Sequence, residues 1–167
     1  PQGTQYRIKA SCRLCGGPLR KILDLGETPL ANELLDSAEA SLDQERFPLF
    51  LSQCEGCDHV QMPVVVDPER LFRSYPYVSG TSPAFVRHLG DLATKLAGDL
   101  SLDQNDLVVE VGSNDGTLLQ AFQRRGCRVV GVDPARNVAA IAEERGVPTV
   151  PEFFTHELAK RLLAEHG

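Results

Sequence analysis

The chain has 167 residues, 42% of them apolar and 24% charged, and 17 basic against 23 acidic residues give a formal charge of −6. That balance suits one ordinary folded domain or two small ones rather than a disordered chain, and with no cluster of five or more Lys and Arg to track phosphates, nucleic acid is not an expected partner. No apolar run reaches the roughly 20 residues that cross a bilayer, and "PQGTQYRIKA" lacks the apolar centre of a secretory signal, so the expected setting is cytoplasmic, reducing and away from membranes.

Four of the five cysteines form two pairs, Cys12 and Cys15 in "CRLCGG" and Cys54 and Cys57 in "CEGCDH". Two intervening residues let a tight turn aim both sulfurs at one point, and Gly16, Gly17 and Gly56 leave room for backbone amides to approach thiolates. Two such turns complete a tetrahedral S4 zinc site, which an intracellular chain favours over two disulfides. With four protein ligands the site is closed, so its expected role is folding rather than catalysis. Four lost protons and one divalent ion move the charge from −6 to about −8. His59 reads as a surface residue or a neighbour of the site, because four sulfurs already saturate the metal. The 38 residues between Cys15 and Cys54 are long enough for structure of their own, and "FPLFLSQC" alternates Phe47, Leu49 and Leu51 like a strand entering the second pair. A zinc-binding domain is expected over residues 1–66.

A connector is expected over 67–100. "DPERLFRSYPYVSGTS" reads as a short helical turn and then a loop. In "SPAFVRHLGDLATKLAGDL", Ser82 is the predicted N-cap and Pro83 the first helical residue, with Phe85, Val86, Leu89, Leu92, Ala93 and Leu96 on one apolar face. His88, beside that face, reads as solvated or capping. Tyr75 and Tyr77 have two open readings: a lid over a pocket, since each offers an apolar face and a hydroxyl, or packing between the zinc module and the helix.

From residue 101 the pattern is βαβα: strands at Leu107 to Val111 and Arg128 to Val132, each ending in a turn and followed by an amphipathic segment. Both strands are apolar on both faces, as in a parallel sheet covered by helices, where ligands bind beyond the carboxyl ends of the strands. The fold class is therefore α/β, a Rossmann-like parallel sheet preceded by a small zinc-binding domain. In the first turn, "GSNDG", Gly112 and Gly116 permit a sharp bend and Asn114 tolerates a left-handed conformation. Asp133, 17 residues after Gly116, stands where an acidic side chain takes the hydroxyls of an adenosine ribose. Glu110 and Asp115 would repel a pyrophosphate and suit a cationic sulfonium, so S-adenosylmethionine is expected in preference to a nicotinamide dinucleotide. Cys127, entering the second strand, reads as a buried core thiol.

Together, "CRLCGG", "LGETPLANELL", "FPLFLSQCEGCDHVQM", "YPYVSGTSPAFVRHL" and "EVGSNDGTLL" resemble, in order, the N-terminal part of the zinc-containing sugar C-methyltransferases, which methylate nucleotide-linked keto-deoxysugars. The resemblance covers most of residues 12–135 and implies S-adenosylmethionine as cofactor and a nucleotide sugar as substrate. It also implies that Glu110, Gly112, Asn114, Asp115 and Gly116 contact the methionine portion or shape its turn, that Asp133 holds the ribose, and that Tyr75, Tyr77, Ser79 and Thr81 line the cleft between cofactor and sugar.

Carbon methylation needs a base that removes a proton beside a ketone and groups that stabilise the enolate. By the same resemblance those residues follow the cofactor-binding half. The 61 residues after Asp106 suffice for two βα units, a short strand at Val147 to Val150 and a helix from about His156 to Glu165. The chain is thus expected to be an N-terminal fragment that does not turn over alone, with its catalytic base beyond Gly167. A stand-alone zinc- and adenosine-binding module is the alternative.

Overall fold

The computed structural model describes residues 6–167, so the first five residues of the zinc-binding domain expected over 1–66 lie outside them. The chain forms two compact units, the first ending at Leu71 and the second running Phe72–Gly167.

The first unit is made of antiparallel strands, two of them long, with 10 and 8 residues, and the rest of two or three residues. They are β1 (Tyr6–Ile8), β2 (Leu19–Thr28), β3 (Phe47–Cys54), β4 (Val60–Gln61) and β5 (Val64–Val66), followed by the short helix α1 (Pro68–Phe72). β1 pairs with β5, and a second sheet has the order β2-β3-β4. The strand expected at "FPLFLSQC" is β3, and its partner β2 follows it with register shifts between Lys21 and Leu23 and between Asp24 and Glu27. Few side chains are fully shielded here. Phe47 is one, with Tyr6 edge-on at 5.8 Å and the Arg70 guanidinium 4.9 Å above the ring centre. Arg70 also pairs with Glu33 at 2.7 Å and with Glu45. An apolar cavity of about 400 Å³ lies beside this cluster, lined among others by Leu30, Leu49, Val64 and Val66. So thin a core seldom sustains a module of this size alone.

The second unit opens with α2 (Pro83–Asp99), whose first turn is capped as expected: the Ser82 hydroxyl accepts from the Phe85 N–H. Ala93 is fully buried and Leu96 packs on the core, but Phe85 stays at the surface, stacked with His88 at 6.2 Å. The apolar periodicity therefore runs one turn beyond the buried face. Three parallel strands follow, β6 (Leu107–Val111), β7 (Arg128–Val132) and β8 (Thr149–Val150), alternating with α3 (Thr117–Gln123), α4 (Arg136–Glu144) and α5 (His156–His166). The sheet order is β6-β7-β8, with Leu107 opposite Arg128 and Val111 opposite Val132. The pleat sorts the side chains. Val108 and Val129 join Ala93, Leu119, Phe122, Cys127, Ala142 and Val147 in one cluster, and Val130 and Val132 join Leu158 and Leu162 in another. Cys127 is the buried core thiol its position suggested.

Two expectations need adjusting. The third strand begins at Thr149 rather than Val147, because Val147 is a fully buried side chain and Pro148 has no N–H; the Pro148 carbonyl instead accepts from Gly131 at 2.8 Å. Full coverage of both faces holds for β7 but not for β6, whose Val109 and Val111 remain 41% and 56% exposed. Among the described residues β6 is an end strand of this sheet.

Gly116 has φ +74°, and a Cβ there would lie 2.9 Å from a methyl of the buried Val147; Gly126, with φ +92°, has nothing within 4 Å. Gly126→Ala should therefore cost only the backbone strain, about 1 kcal/mol, and Gly116→Ala about 2–3 kcal/mol, because strain and overpacking combine. Denaturant unfolding of both variants tests this, and equal losses would show that Val147 yields freely.

Candidate functional site

The two cysteine pairs sit in two turns of matching construction. In the first, Cys12 N–H donates to Gly17 O at 2.9 Å and Gly16 N–H to Cys12 O at 3.0 Å; in the second, Cys54 N–H donates to His59 O at 2.9 Å and Asp58 N–H to Cys54 O at 3.0 Å. The fourth residue after the leading cysteine is left-handed in both, Gly16 at φ +75° and Asp58 at φ +58°. Backbone amides two residues on from Cys12, Cys15 and Cys54 approach their sulfurs at 3.4 Å. His59 bonds Cys57 through its backbone amide.

These turns bring four sulfurs within 4.8 Å of one another, with 3.4 Å from Cys15 to both Cys54 and Cys57 and 3.7 Å from Cys12 to Cys57. The edge of a zinc–thiolate tetrahedron with 2.3 Å bonds is about 3.8 Å. No disulfide joins them. A Cβ on Gly17 would sit 3.1 Å from Cys54 Sγ and 3.3 Å from Cys15 Sγ, so the cradle closes on the sulfurs to within one methyl group. Amides of Cys15 and Leu14 pull the Cys12 thiol down to about 6, toward the thiolate a metal requires. The His59 amide lowers the Cys57 thiol, but the facing sulfurs of Cys15, Cys54 and Cys12 together with burial push it up to about 12, a crowding that a divalent ion would relieve. In donor type, number and spacing Cys12, Cys15, Cys54 and Cys57 fit zinc.

In the second unit the turn after β6 is hooked to the end of β7, Gly112 N–H donating to Val132 O at 2.7 Å. Gly112, Asn114 and Gly116 all take positive φ, at 78°, 51° and 74°, and the turn lies at the carboxyl ends of the strands with its Gly112 and Ser113 amides on Val132 O and its Asn114 amide on Asp133. There a crevice of about 290 Å³ is lined by Phe72, Tyr75, Tyr77, Ser79, Gly112, Asn114, Asp133 and Ala135. Six residues singled out from the sequence thus line one cavity: Tyr75, Tyr77, Ser79, Gly112, Asn114 and Asp133. Asp133 bridges two turns, its Oδ2 accepting from Asn114 N–H and its Oδ1 from Ala135 N–H, both at 2.8 Å.

The other four stand behind the crevice wall. The Thr81 hydroxyl donates to Val78 O at 2.8 Å within a single 3-10 turn, Ser79–Thr81. Gly116 starts α3 against Val147. Asp115 is completely buried. Burial alone would raise its carboxyl, but the Thr117 hydroxyl at 2.7 Å, the Arg145 guanidinium and the Gly80 N–H at 2.9 Å hold it below the usual carboxylate range. Its charge is spent inside the fold. Glu110 lies on the strand before the turn, with Oε2 buried and lacking a hydrogen-bond partner. Burial, then the charges of Asp115 and Asp133, push its carboxyl up to about 7.

Two residues unremarked in the sequence complete the wall. Asn137, near the start of α4, clamps Tyr75 from both sides, accepting from its N–H at 3.0 Å and donating to its carbonyl at 2.7 Å. Arg145, where α4 ends, supplies the counter-charge to Asp115. Neither carries a local signal, since the partners lie 62 and 30 residues away.

Residues 12–72 match a family described as "Putative zinc binding domain". Over 157 residues the chain is 38% identical to the C-methyltransferase NovU of Streptomyces niveus, covering 93% of this chain and 37% of that protein. The chain therefore spans little more than a third of the length of the curated relative it matches. The resemblance to zinc-containing C-methyltransferases seen in the sequence stands, and it takes in both the cysteine cluster and the crevice. Among the described residues no helix is long and apolar enough to cross a membrane.

Metal analysis should find one zinc per chain, and Cys54→Ser, at the most buried of the four ligands, should lose most of it together with amide protection in β3 and β4; retention of both would refute the cluster's role. For Glu110, a carboxyl raised in the folded state contributes stability in its protonated form, fully present below its ordinary value near 4.5 and lost as pH rises through about 7. Glu110→Gln should accordingly raise stability at pH 8 by about 1–2 kcal/mol, after allowance for partial solvent screening. The gain should fade by pH 5. Thermal unfolding at the two pH values reads the difference.

Proposed function

We propose that this chain, similar to the N-terminal part of zinc-containing C-methyltransferases, binds S-adenosylmethionine in the crevice beyond β6 and β7 and serves methyl transfer to carbon on a nucleotide-linked keto-deoxysugar. What supports this most directly is the convergence of Asp133, the Gly112–Gly116 turn and the Tyr75–Ser79 loop on one cavity at the carboxyl ends of parallel strands, the position where α/β sheets take their ligands. The cavity, at about 290 Å³, lies near the lower bound of small-molecule sites. The relative's being a C-methyltransferase supplies the reaction class.

The cofactor would bring an electrophilic methyl group on a positively charged sulfur. Each Asp133 oxygen accepts one backbone amide and so has capacity left for a ribose hydroxyl. The Tyr75 and Tyr77 rings would orient the remainder and exclude water from the site of transfer. On the sugar, removal of a proton beside the ketone leaves an enolate whose carbon takes the methyl while sulfur departs as a neutral thioether. Two charges are lost, so a dry, preorganised wall favours the step. We assign the proton-abstracting base to none of the crevice residues, and in this reading the chain contributes the cofactor half of the site. The zinc cluster, fully ligated by sulfur, holds its own module together and takes no part in transfer.

Calorimetric titration with S-adenosylmethionine tests the proposal. Binding by the unaltered chain is expected, and Asp133→Ala should weaken it by about 1–3 kcal/mol through loss of a charged acceptor. A chain that binds a nicotinamide dinucleotide and not S-adenosylmethionine would overturn the reading.

A further inference from the structure

The wall of the crevice is held from behind. Tyr77 and Ser79 reach the cavity, and the loop that carries them is fastened to the turn after β6 by three hydrogen bonds. Ser79 N–H donates to Asn114 Oδ1 at 2.9 Å, Asn114 Nδ2 donates to Tyr77 O at 3.0 Å, and Gly80 N–H donates to Asp115 Oδ2 at 2.9 Å. The last of these is strongest with Asp115 ionised, and a carboxylate without solvent exposure stays ionised through hydrogen bonds, here from Thr117 and Gly80, and a cation beside it. Arg145 provides that cation, pairing with Oδ2 and lying 3.4 Å from the Asp115 carbonyl. The packing is close enough to exclude any side chain at Gly80. A Cβ at Gly80 would be 2.5 Å from Asp115 Oδ2 and 2.9 Å from both Arg145 Nη1 and Thr117 Oγ1.

We infer that Arg145, which does not line the crevice, is a positioning residue for it: through Asp115 it latches the Tyr77–Thr81 loop against the turn, so that the ligand-binding wall is formed before the ligand arrives. The part concerning ligand rests on the crevice being the S-adenosylmethionine site; the latch itself does not. A ligand meeting a preformed wall is spared the cost of ordering the loop, which otherwise subtracts from affinity. A residue with merely structural duties would affect the whole unit, whereas a latch affects one loop.

Amide hydrogen exchange by NMR, combined with titration by S-adenosylhomocysteine, distinguishes these. In Arg145→Met, exchange at the Ser79 and Gly80 amides should rise at least about tenfold, as expected when a hydrogen bond to a buried charge is lost, while Val130 and Val132 in β7 keep their protection. Affinity for S-adenosylhomocysteine should fall about 5–20-fold, and Arg145→Lys should recover more than half of that loss. Should Arg145→Met also lose protection in β7, Gly80→Ala carries the test, since it forces the loop off Asp115 without touching the core and should give the same two changes. Wild-type protection at Ser79 and Gly80 in Gly80→Ala would overturn the latch, and lost protection with unchanged affinity would overturn its role in positioning the ligand-binding wall. An unaltered chain that does not bind S-adenosylhomocysteine would instead refute the cofactor assignment, with the exchange pattern still deciding the latch.

Discussion

Taking a carboxylate wholly out of water costs several kcal/mol unless its lone pairs and its charge are both answered. Asp115 is answered on every side: by the Thr117 hydroxyl and amide at the start of α3, by the Gly80 amide from the preceding loop, and by Arg145 at the end of α4. Segments that are distant in sequence are thereby obliged to meet at one point. The left-handed residues on either side follow from the same constraint. For Asp115 to turn inward while Asn114 reaches both Tyr77 and Ser79, the backbone must bend sharply at Gly112 and Gly116, which an ordinary side chain would resist. The shape of the crevice is a consequence of how this one charge is buried.

The first unit solves a different problem. Among the described residues its shielded apolar side chains are few, so hydrophobic burial alone supplies little against the entropy of ordering the chain. The two cysteine turns compensate by repetition: the same ladder of hydrogen bonds, the same left-handed fourth residue and the same amide-to-sulfur contacts appear twice. A local geometry that the chain can form from six residues is used at both ends of a long intervening segment. Joining them at a metal closes a loop of about forty residues, which is where a cross-link removes much unfolded-state entropy.

Sequence legibility tracked the range of the interactions involved. The strands β6 and β7 are readable to the residue because their valine runs end at turn residues, Gly112 after β6 and Asp133-Pro134 after β7, and Ser82 with Pro83 marks the start of α2 because capping is local. The cysteine cluster was readable for the same reason, its geometry being set within each turn. The third strand starts two residues later than composition predicts because the Val147 side chain belongs to the core and Pro148 has no N–H for the ladder. Asn137 and Arg145 were invisible, since an asparagine and an arginine on an amphipathic helix have no signature until the partner 62 or 30 residues away is known. Asp115 was noticed for its charge, but sequence could not tell that the charge faces inward.

That last point changes how the crevice's electrostatics work. Three carboxylates cluster at the strand ends, and read as equals they would make a strongly negative site. In the fold they differ in state. Asp115 is paired with Arg145, burial and then the charges of Asp115 and Asp133 push the Glu110 carboxyl up to about 7, and of the three only Asp133 lines the cavity. A carboxyl poised in this way responds to whatever arrives. A positive group nearby would draw off its proton and meet a second negative charge, while a pyrophosphate would keep it protonated and meet the repulsion of Asp133. In the reading proposed above, a cationic ligand would favour the ionised form of Glu110, so part of the charge that meets it would be supplied on binding rather than carried permanently by a turn that already has one buried carboxylate to satisfy.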